Sequence, residues 1–153
     1  MFSFLKQEIY EPVECKQNEF VAPADGRIID ISTVSDQMFA EKMLGESIAF
    51  DFIGKKVTVG SPCSGNMTVL FPTGHAFGIT MDNGTEVMVH IGVNTVSTKG
   101  EGFEILNKHQ GDTVKAGEPI VKVDYKDLKS KFDMSTMLII TNTNGHDISF
   151  APP

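Results

Sequence analysis

The sequence has little positive charge, only two cysteines, no tryptophan and no long apolar run. Its 13 Lys and Arg residues against 20 Asp and Glu residues give a formal net charge of −7. Because phosphate backbones and anionic lipid surfaces attract Lys and Arg, this balance argues against a nucleic-acid partner or a bare anionic membrane surface. No apolar run reaches the length of a transmembrane helix. These absences favour a soluble, globular protein.

Cysteine usage and the first residues bear on the cellular compartment. Cys15 and Cys63 are isolated from each other, which is typical of a reducing compartment and not of a disulfide framework. The opening MFSFLKQEIYEPVE is too short an apolar stretch for a signal peptide or a membrane-binding helix. We therefore expect a cytoplasmic protein with separate thiols. The initial Met and the short tail favour a free-standing chain.

The sequence does contain many short strand-like segments separated by Gly and Pro. We expect one domain over 1–153, with a leader at 1–17 and a core at about 18–143, and short helices at 37–43 and 125–132. Segment 102–109 adds a helical turn or two. Many short strands at close spacing predict an all-β fold, an antiparallel β-sandwich or barrel. The predicted strands lie at 26–32, 47–53, 55–60, 66–71, 76–80, 85–93, 119–124 and 136–142.

Two short motifs recur in the same order in the two halves of the chain. APADGRIIDI at 22–31 resembles SPCSGNMTVL at 61–70, since both have Pro, two residues, Gly and then an apolar strand. GESIAF at 45–50 resembles GEPIVK at 117–122. This order predicts a duplicated β motif.

His75 and His90 flank the strongest hairpin signal, the Asn-Gly pair at 83–84. Asn-Gly favours a two-residue type I′ loop, which pairs Phe77 with His90 and His75 with Gly92. In that register both imidazoles lie on one face, with Cβ atoms about 7–8 Å apart or less. A three-residue loop would place them on opposite faces.

The same register divides the remaining hairpin residues between two faces. The histidine face then carries Glu86 and Met88, together with Phe77 and Ile79. The core face carries the aliphatic row Val87, Val89, Ile91 and Val93.

Four interpretations of this pair compete: two ordinary half-buried histidines, a metal site, a hydrolase site and a phosphoryl acceptor. A metal site with His75, His90 and a carboxylate such as Asp36 lacks any His-x-His, His-Glu-x-x-His or Cys-x-x-Cys pattern. A hydrolase lacks a Gly-x-Ser-x-Gly elbow. A phosphoryl acceptor needs a neutral imidazole whose second nitrogen is held as a donor.

A phosphoryl-acceptor site also predicts roles for the neighbouring groups. A second imidazole can donate a hydrogen bond to the phosphoryl oxygens. The Thr73 hydroxyl is suited to orient an imidazole, and the backbone N–H groups around Gly74 and Gly92 are expected to face the phosphoryl group.

Five motifs carry a family resemblance that is collinear over about residues 18–143. They are VLFPTGHAFGI, VMVHIGVNTV, KGEGFEIL, FAEKMLGESIAF and VKAGEPIVKVD. The chain resembles the glucose-class enzyme IIA (the glucose, sucrose, N-acetylglucosamine and β-glucoside family) of the bacterial phosphoenolpyruvate-dependent sugar phosphotransferase system. The resemblance implies a compact antiparallel β-sandwich with a duplicated motif, and a phosphotransferase component that needs no cofactor or metal.

The resemblance also implies roles for individual residues. His90 would accept a phosphoryl group from the phosphocarrier HPr and pass it to a cysteine of an enzyme IIB domain. His75 would stabilise the group without carrying it, and Thr73 would hydrogen-bond the other nitrogen of His90. Partners would dock on an apolar rim formed by Phe39, Leu44, Phe71, Met88 and Val96. Asn94 stands where the family usually has Asp, which removes a negative charge near the site.

Two other classes of function remain as alternatives. A zinc-dependent peptidase on a similar duplicated β scaffold would use His75, His90 and a carboxylate as ligands. A lipoyl- or biotin-type carrier needs a lysine at a hairpin tip, whereas Lys42 lies in a predicted helix.

Overall fold

Two antiparallel sheets organise the chain. A computed structural model describes residues 19–148 and 150, and within them the chain forms ten strands and two α-helices. The helices are α1 (Gln37–Ala40) and α2 (Tyr125–Lys129). The strands are β1 (Gly26–Ile29), β2 (Glu46–Phe52), β3 (Val57–Gly60), β4 (Gly65–Leu70), β5 (Ala76–Thr80), β6 (Glu86–Ile91), β7 (Phe103–Ile105), β8 (Thr113–Val114), β9 (Pro119–Val123) and β10 (Thr136–Asn142).

The main core lies between the two sheets. The larger sheet has seven strands in the order β1-β2-β10-β6-β5-β4-β8, and the smaller has the order β3-β9-β7. Apolar side chains of both sheets interdigitate because burial removes their surface from water. The core includes Phe52, Val59, Met67, Phe77, Val89, Ile120, Val121 and Leu138. The predicted all-β antiparallel fold is confirmed.

A smaller cluster covers the opposite face of the large sheet. The segment at 31–44, called here the crossing segment, connects β1 to β2 and packs Val34 and Phe39 against Met137 and Ile139 of β10. Strand β10 is therefore buried on both faces, which explains its continuous apolar run. The crossing segment brings α1 next to the outer face of β6.

The predicted elements agree with the structure except in a few places. The helix expected at 37–43 ends at Ala40, and the helix expected at 125–132 ends at Lys129. The helical turn expected at 102–109 is wrong, because Phe103 and Ile105 alternate with Glu104 in strand β7, which pairs with β9. Strand β8 was not predicted, since two residues carry no periodic signal.

The predicted register of the β5–β6 hairpin is wrong by one residue. Ala76, not Phe77, pairs with His90. The N–H of Met81 donates to the carbonyl of Thr85 at 2.8 Å, which leaves a three-residue loop at 82–84. Gly84 takes the left-handed position with a φ of 86°. This is a type I turn followed by a glycine bulge.

The shifted register moves two side chains to the other face. Phe77 and Ile79 pair with Val89 and Val87 and lie in the main core, not on the histidine face. The predicted split of β6 itself is confirmed, because Val87, Val89 and Ile91 are buried and the alternate side chains are not.

Of the two cysteines, one lies within the described residues. Cys63 is fully buried, whereas Cys15 and the predicted leader lie outside the described residues. Over 19–148 and 150, no helix is long and apolar enough to cross a membrane.

The repeated Pro-x-x-Gly motif has a steric cause. Gly26 and Gly65 are the first residues of β1 and β4. A Cβ atom on Gly26 would lie 2.3 Å from the carbonyl oxygen of Asp51, and one on Gly65 would lie 2.3 Å from that of Thr80. In both halves the strand enters the sheet through a close approach that only glycine permits.

We expect Gly65→Ala to lower the free energy of unfolding by about 3 kcal/mol, because the backbone must move to admit the methyl group. Gly111→Ala is the control. It has a φ of 100° and open space around the new Cβ, so it should cost only the conformational strain of about 1 kcal/mol. Urea unfolding measures both variants, and equal losses would contradict the steric account.

Candidate functional site

The two histidines of the hairpin lie side by side. His90 is in β6, and His75 lies in a bend just before β5, after Gly74 with a φ of 78°. Their ring centroids are 5.2 Å apart with the rings at 81° to each other. Because His75 is outside the strand, the alternation of the pleat does not apply to it. The predicted pairing is thus present, although in a different register from the one expected.

The ring of His90 is oriented by one backbone carbonyl and one aromatic side chain. Its Nδ1 lies 2.8 Å from the carbonyl oxygen of Gly92. A carbonyl only accepts, so Nδ1 carries the proton and Nε2 keeps its lone pair. The ring of Phe39 lies 4.9 Å away, centroid to centroid. Met137 of β10 is the cross-strand neighbour of His90.

His75 has a different set of contacts. Its Nδ1 lies 2.6 Å from the Thr73 hydroxyl, and the ring of Phe71 contacts it edge-on at 5.0 Å. The predicted hydrogen bond from Thr73 to His90 is therefore wrong. Thr73 and His75 are two residues apart in the same bend, and the backbone carbonyl of Gly92 already occupies Nδ1 of His90.

The backbone N–H groups of two glycines are engaged elsewhere. The N–H of Gly74 donates to the carbonyl of Phe71 at 2.8 Å, and the N–H of Gly92 donates to the carbonyl of Ser135 at 3.1 Å. The N–H groups of these two glycines are therefore not available to a phosphoryl group. Gly92 serves the site through its carbonyl, which spacing alone did not reveal.

Both imidazoles are neutral at neutral pH. Burial, and secondly repulsion from His90 when that ring is protonated, lower the pKa of His75 to about 4. Burial also lowers the pKa of His90, although the hydrogen bond to Gly92 and the negative charge of Asp36 act in the opposite direction. Neutral rings leave lone pairs available, so the pair can hold a nucleophilic nitrogen and a separate N–H donor.

Comparison with known proteins identifies the family. Residues 18–146 match the family model described as phosphoenolpyruvate-dependent sugar phosphotransferase system, EIIA 1. The chain belongs to this family. It is accordingly a component of the phosphoenolpyruvate-dependent sugar phosphotransferase system, and this match gives no support to the peptidase alternative.

Two relatives illustrate the match. The glucose-specific EIICBA component of the phosphotransferase system from Staphylococcus carnosus is 39% identical over 125 residues, which are 81% of this chain and 18% of that protein. The structure of glucose permease IIA from Mycoplasma capricolum superposes with a TM-score of 0.80 at 37% identity, covering 88% of this chain and 86% of that one. The chain thus spans 18% of the length of its larger relative.

Two side chains of the predicted rim contact the imidazole rings, Phe39 at His90 and Phe71 at His75. Phe39 is buried against His90, and Met88 is half-buried. Leu44, Phe71 and Val96 are exposed, with Val96 at 53%.

Two further apolar side chains of the crossing segment are exposed and were missed from the sequence. They are Met38 at 47% and Met43 at 64%. Their signal was two large apolar residues near Phe39 in a segment that also carries Gln37, Glu41 and Lys42.

Neither alternative chemistry gains support from the geometry. Among the described residues no group of three His, Cys, Asp or Glu side chains is placed to hold a metal ion, and zinc needs three or four such ligands. Asp36, the proposed third ligand, instead caps α1 by accepting from the N–H of Met38 at 2.8 Å. Lys42 lies in a turn after α1 and pairs with Glu46.

Asn94 occupies a special backbone position. It has a φ of 61° at the start of the 3-10 turn Thr95–Thr98, and its side chain makes no capping hydrogen bond there. Asn tolerates this left-handed conformation. The backbone path therefore does not require the Asp that the family usually has at this position.

The depressed pKa of His75 predicts a pH-dependent stability. The unfolded chain binds a proton near 6.5, whereas the folded chain binds it only near 4. Stability is therefore present above pH 6.5 and is lost as the pH falls towards 4. His75→Gln should reduce the loss between pH 7.5 and 5 by about 2 kcal/mol.

Urea unfolding at several pH values measures this effect. His109→Gln, at a site whose side chain is 77% exposed, is the matched control and should keep the slope of the parent protein. A His75→Gln slope equal to that of the parent would contradict the account.

Proposed function

We propose that His90 accepts a phosphoryl group on Nε2 from the histidine phosphocarrier HPr and passes it to a cysteine of an enzyme IIB domain. The observation that carries this proposal is the hydrogen bond from Nδ1 of His90 to the carbonyl of Gly92. It leaves Nε2 as an unprotonated nucleophile. In the first step the P–N bond to the donor histidine breaks as the bond to Nε2 forms. In the second step this bond breaks as a P–S bond forms.

His75 is proposed as the stabiliser of the phosphoryl group. If the Thr73 hydroxyl donates to Nδ1 of His75, the proton of the neutral ring sits on Nε2, where it can donate to a phosphoryl oxygen. Thr73 thus acts through His75, not through His90. A neutral donor also suits a carrier, because a permanent positive charge would hold the anionic group too firmly for onward transfer.

The exposed apolar side chains of the predicted rim and of the crossing segment fit transient docking. Phe71 contacts the ring of His75, and Leu44, Val96, Met38 and Met43 are exposed like Phe71. Small apolar patches of this kind suit a protein that must bind two partners in turn and dissociate from each. The proposal also places the chain in the cytoplasm.

Phosphorylation with purified components tests the assignment of the two histidines. The protein is incubated with enzyme I, HPr and phosphoenolpyruvate. We expect acid-labile, base-stable phosphate on the parent protein and none on His90→Gln. His75→Gln should accept phosphate but pass it to enzyme IIB about a hundredfold more slowly, because the donor to the phosphoryl oxygens is lost.

His109→Gln serves again as the exposed-histidine control and should behave as the parent protein. If His90→Gln takes up phosphate while His75→Gln does not, the two roles are reversed. If both variants take it up as the parent does, the proposal fails.

A further inference from the structure

The carbonyl that orients His90 is itself held from the far side by the segment that precedes β10. The N–H of Gly92 donates to the carbonyl of Ser135 at 3.1 Å, and the N–H of Val93 donates to the carbonyl of Asp133 at 2.8 Å. A Cβ atom on Gly92 would meet the sulfur of Met134 at 2.8 Å. The position of the Gly92 carbonyl therefore depends on the backbone at 133–135.

The carboxylate of Asp133 joins this backbone to the crossing segment. Its Oδ1 accepts from the N–H of Ser135 at 3.0 Å and from the Ser135 hydroxyl at 2.6 Å. Its Oδ2 accepts from the N–H of Ser35 at 3.0 Å, across 98 residues of sequence. Burial alone raises the pKa of Asp133, but the hydrogen bonds from Ser135 and Ser35 outweigh it and lower the pKa below its usual value. The bridge is thus made by an ionised carboxylate.

Ser35 immediately precedes the residues of the crossing segment that act on His90. Asp36 caps α1 and is the negative charge that opposes the lowered pKa of His90. Phe39 lies within α1 and packs against the imidazole. One carboxylate therefore connects the backbone behind the Gly92 carbonyl to the segment that covers the ring.

A second aspartate shows what a purely local turn looks like in this chain. Oδ1 of Asp30 accepts from the N–H of Ser32 at 3.0 Å and from its hydroxyl at 2.8 Å. This is the same two-residue turn that Asp133 makes with Ser135. Asp133 differs in its additional hydrogen bond to Ser35, which a local turn does not need.

We propose that Asp133 is a positioning residue for His90. By bridging Ser35 and Ser135 it keeps the Gly92 carbonyl and the crossing segment in the arrangement that directs the proton of His90 to Nδ1. The expected effect on phosphoryl transfer rests on the proposed function. The expected effect on the tautomer of His90 does not, and it can be measured without phosphate.

The first test reads the tautomer of His90 by nitrogen-15 NMR of the imidazole at pH 8. The parent protein should show one neutral tautomer with the proton on Nδ1. In Asp133→Asn an amide group replaces one accepting oxygen, so one side of the bridge is lost, and we expect a mixture of the two tautomers. Asp30→Asn makes the same chemical change in the purely local turn, where one accepting oxygen suffices, and should keep the single tautomer of the parent.

The second test measures the rate of phosphorylation by phosphorylated HPr. Asp133→Asn should lower kcat by about tenfold or more, and KM by a smaller factor or not at all, because every apolar docking side chain is retained while the nucleophile is misplaced. Ser135→Ala removes one of the three hydrogen bonds to the carboxylate and should shift both readouts in the same direction by a smaller amount. If Asp133→Asn does not fold, the Ser135→Ala variant tests the role of Asp133 instead.

The inference is overturned if folded Asp133→Asn keeps a single Nδ1–H tautomer, or if Asp30→Asn disturbs His90 equally. For an Asp133→Asn variant that does not fold, parent-like values in Ser135→Ala overturn it. Failure of the parent protein to take phosphate on His90 would instead refute the proposed function, and the tautomer measurement would still decide whether Asp133 positions the ring.

Discussion

The hydrogen bond from His90 to the carbonyl of Gly92 is the interaction on which the site depends. A free histidine exchanges its proton between two nitrogens, so either can act as the nucleophile or as the donor. The carbonyl of Gly92 selects one tautomer of His90, with the proton on Nδ1, because a carbonyl oxygen can only accept a hydrogen bond. The rest of the local architecture maintains this carbonyl and the surroundings of the ring. Strand β10, the crossing segment and the segment at 133–135 all meet there.

The two imidazoles are alike in residue type but receive different partners. His90 meets a carbonyl, whereas His75 meets a hydroxyl, which can donate as well as accept. Burial keeps both rings neutral, so their difference lies in the placement of a proton and not in charge. A carrier benefits from this arrangement, because it needs a nucleophile and a donor together without binding the phosphoryl group irreversibly.

Much of the fold could be predicted from the sequence, because even short strands show alternating apolar and polar residues and are separated by Gly and Pro. The predictions were wrong where two local signals favour different structures. Asn-Gly at 83–84 favours a two-residue loop, but the buried pairing of Phe77 with Val89 prevails and selects a three-residue loop with a bulge at Gly84. Segment 102–109 has apolar residues at spacings that suit a helix as well as a strand, and only its pairing with β9 decides between them.

At the site, side-chain identities were predictable and backbone partners were not. The residues pointed to His75, His90 and Thr73, but the family resemblance assigned the Thr73 hydrogen bond to His90, whereas the structure places it on His75. The partner of His90 is a carbonyl, which every residue possesses and which therefore leaves no mark in the sequence. The Asp133 bridge joins positions 98 residues apart, and such a contact is visible only once the chain has folded.

The most direct test is to determine which nitrogen of His90 carries the phosphoryl group. Nitrogen-15 and phosphorus-31 NMR of the phosphorylated, histidine-labelled protein distinguishes the two by the nitrogen that couples to phosphorus. The account predicts phosphate on Nε2 with the proton retained on Nδ1. Phosphate on Nδ1 would contradict it, because the hydrogen bond to Gly92 and the phosphoryl group cannot occupy the same nitrogen.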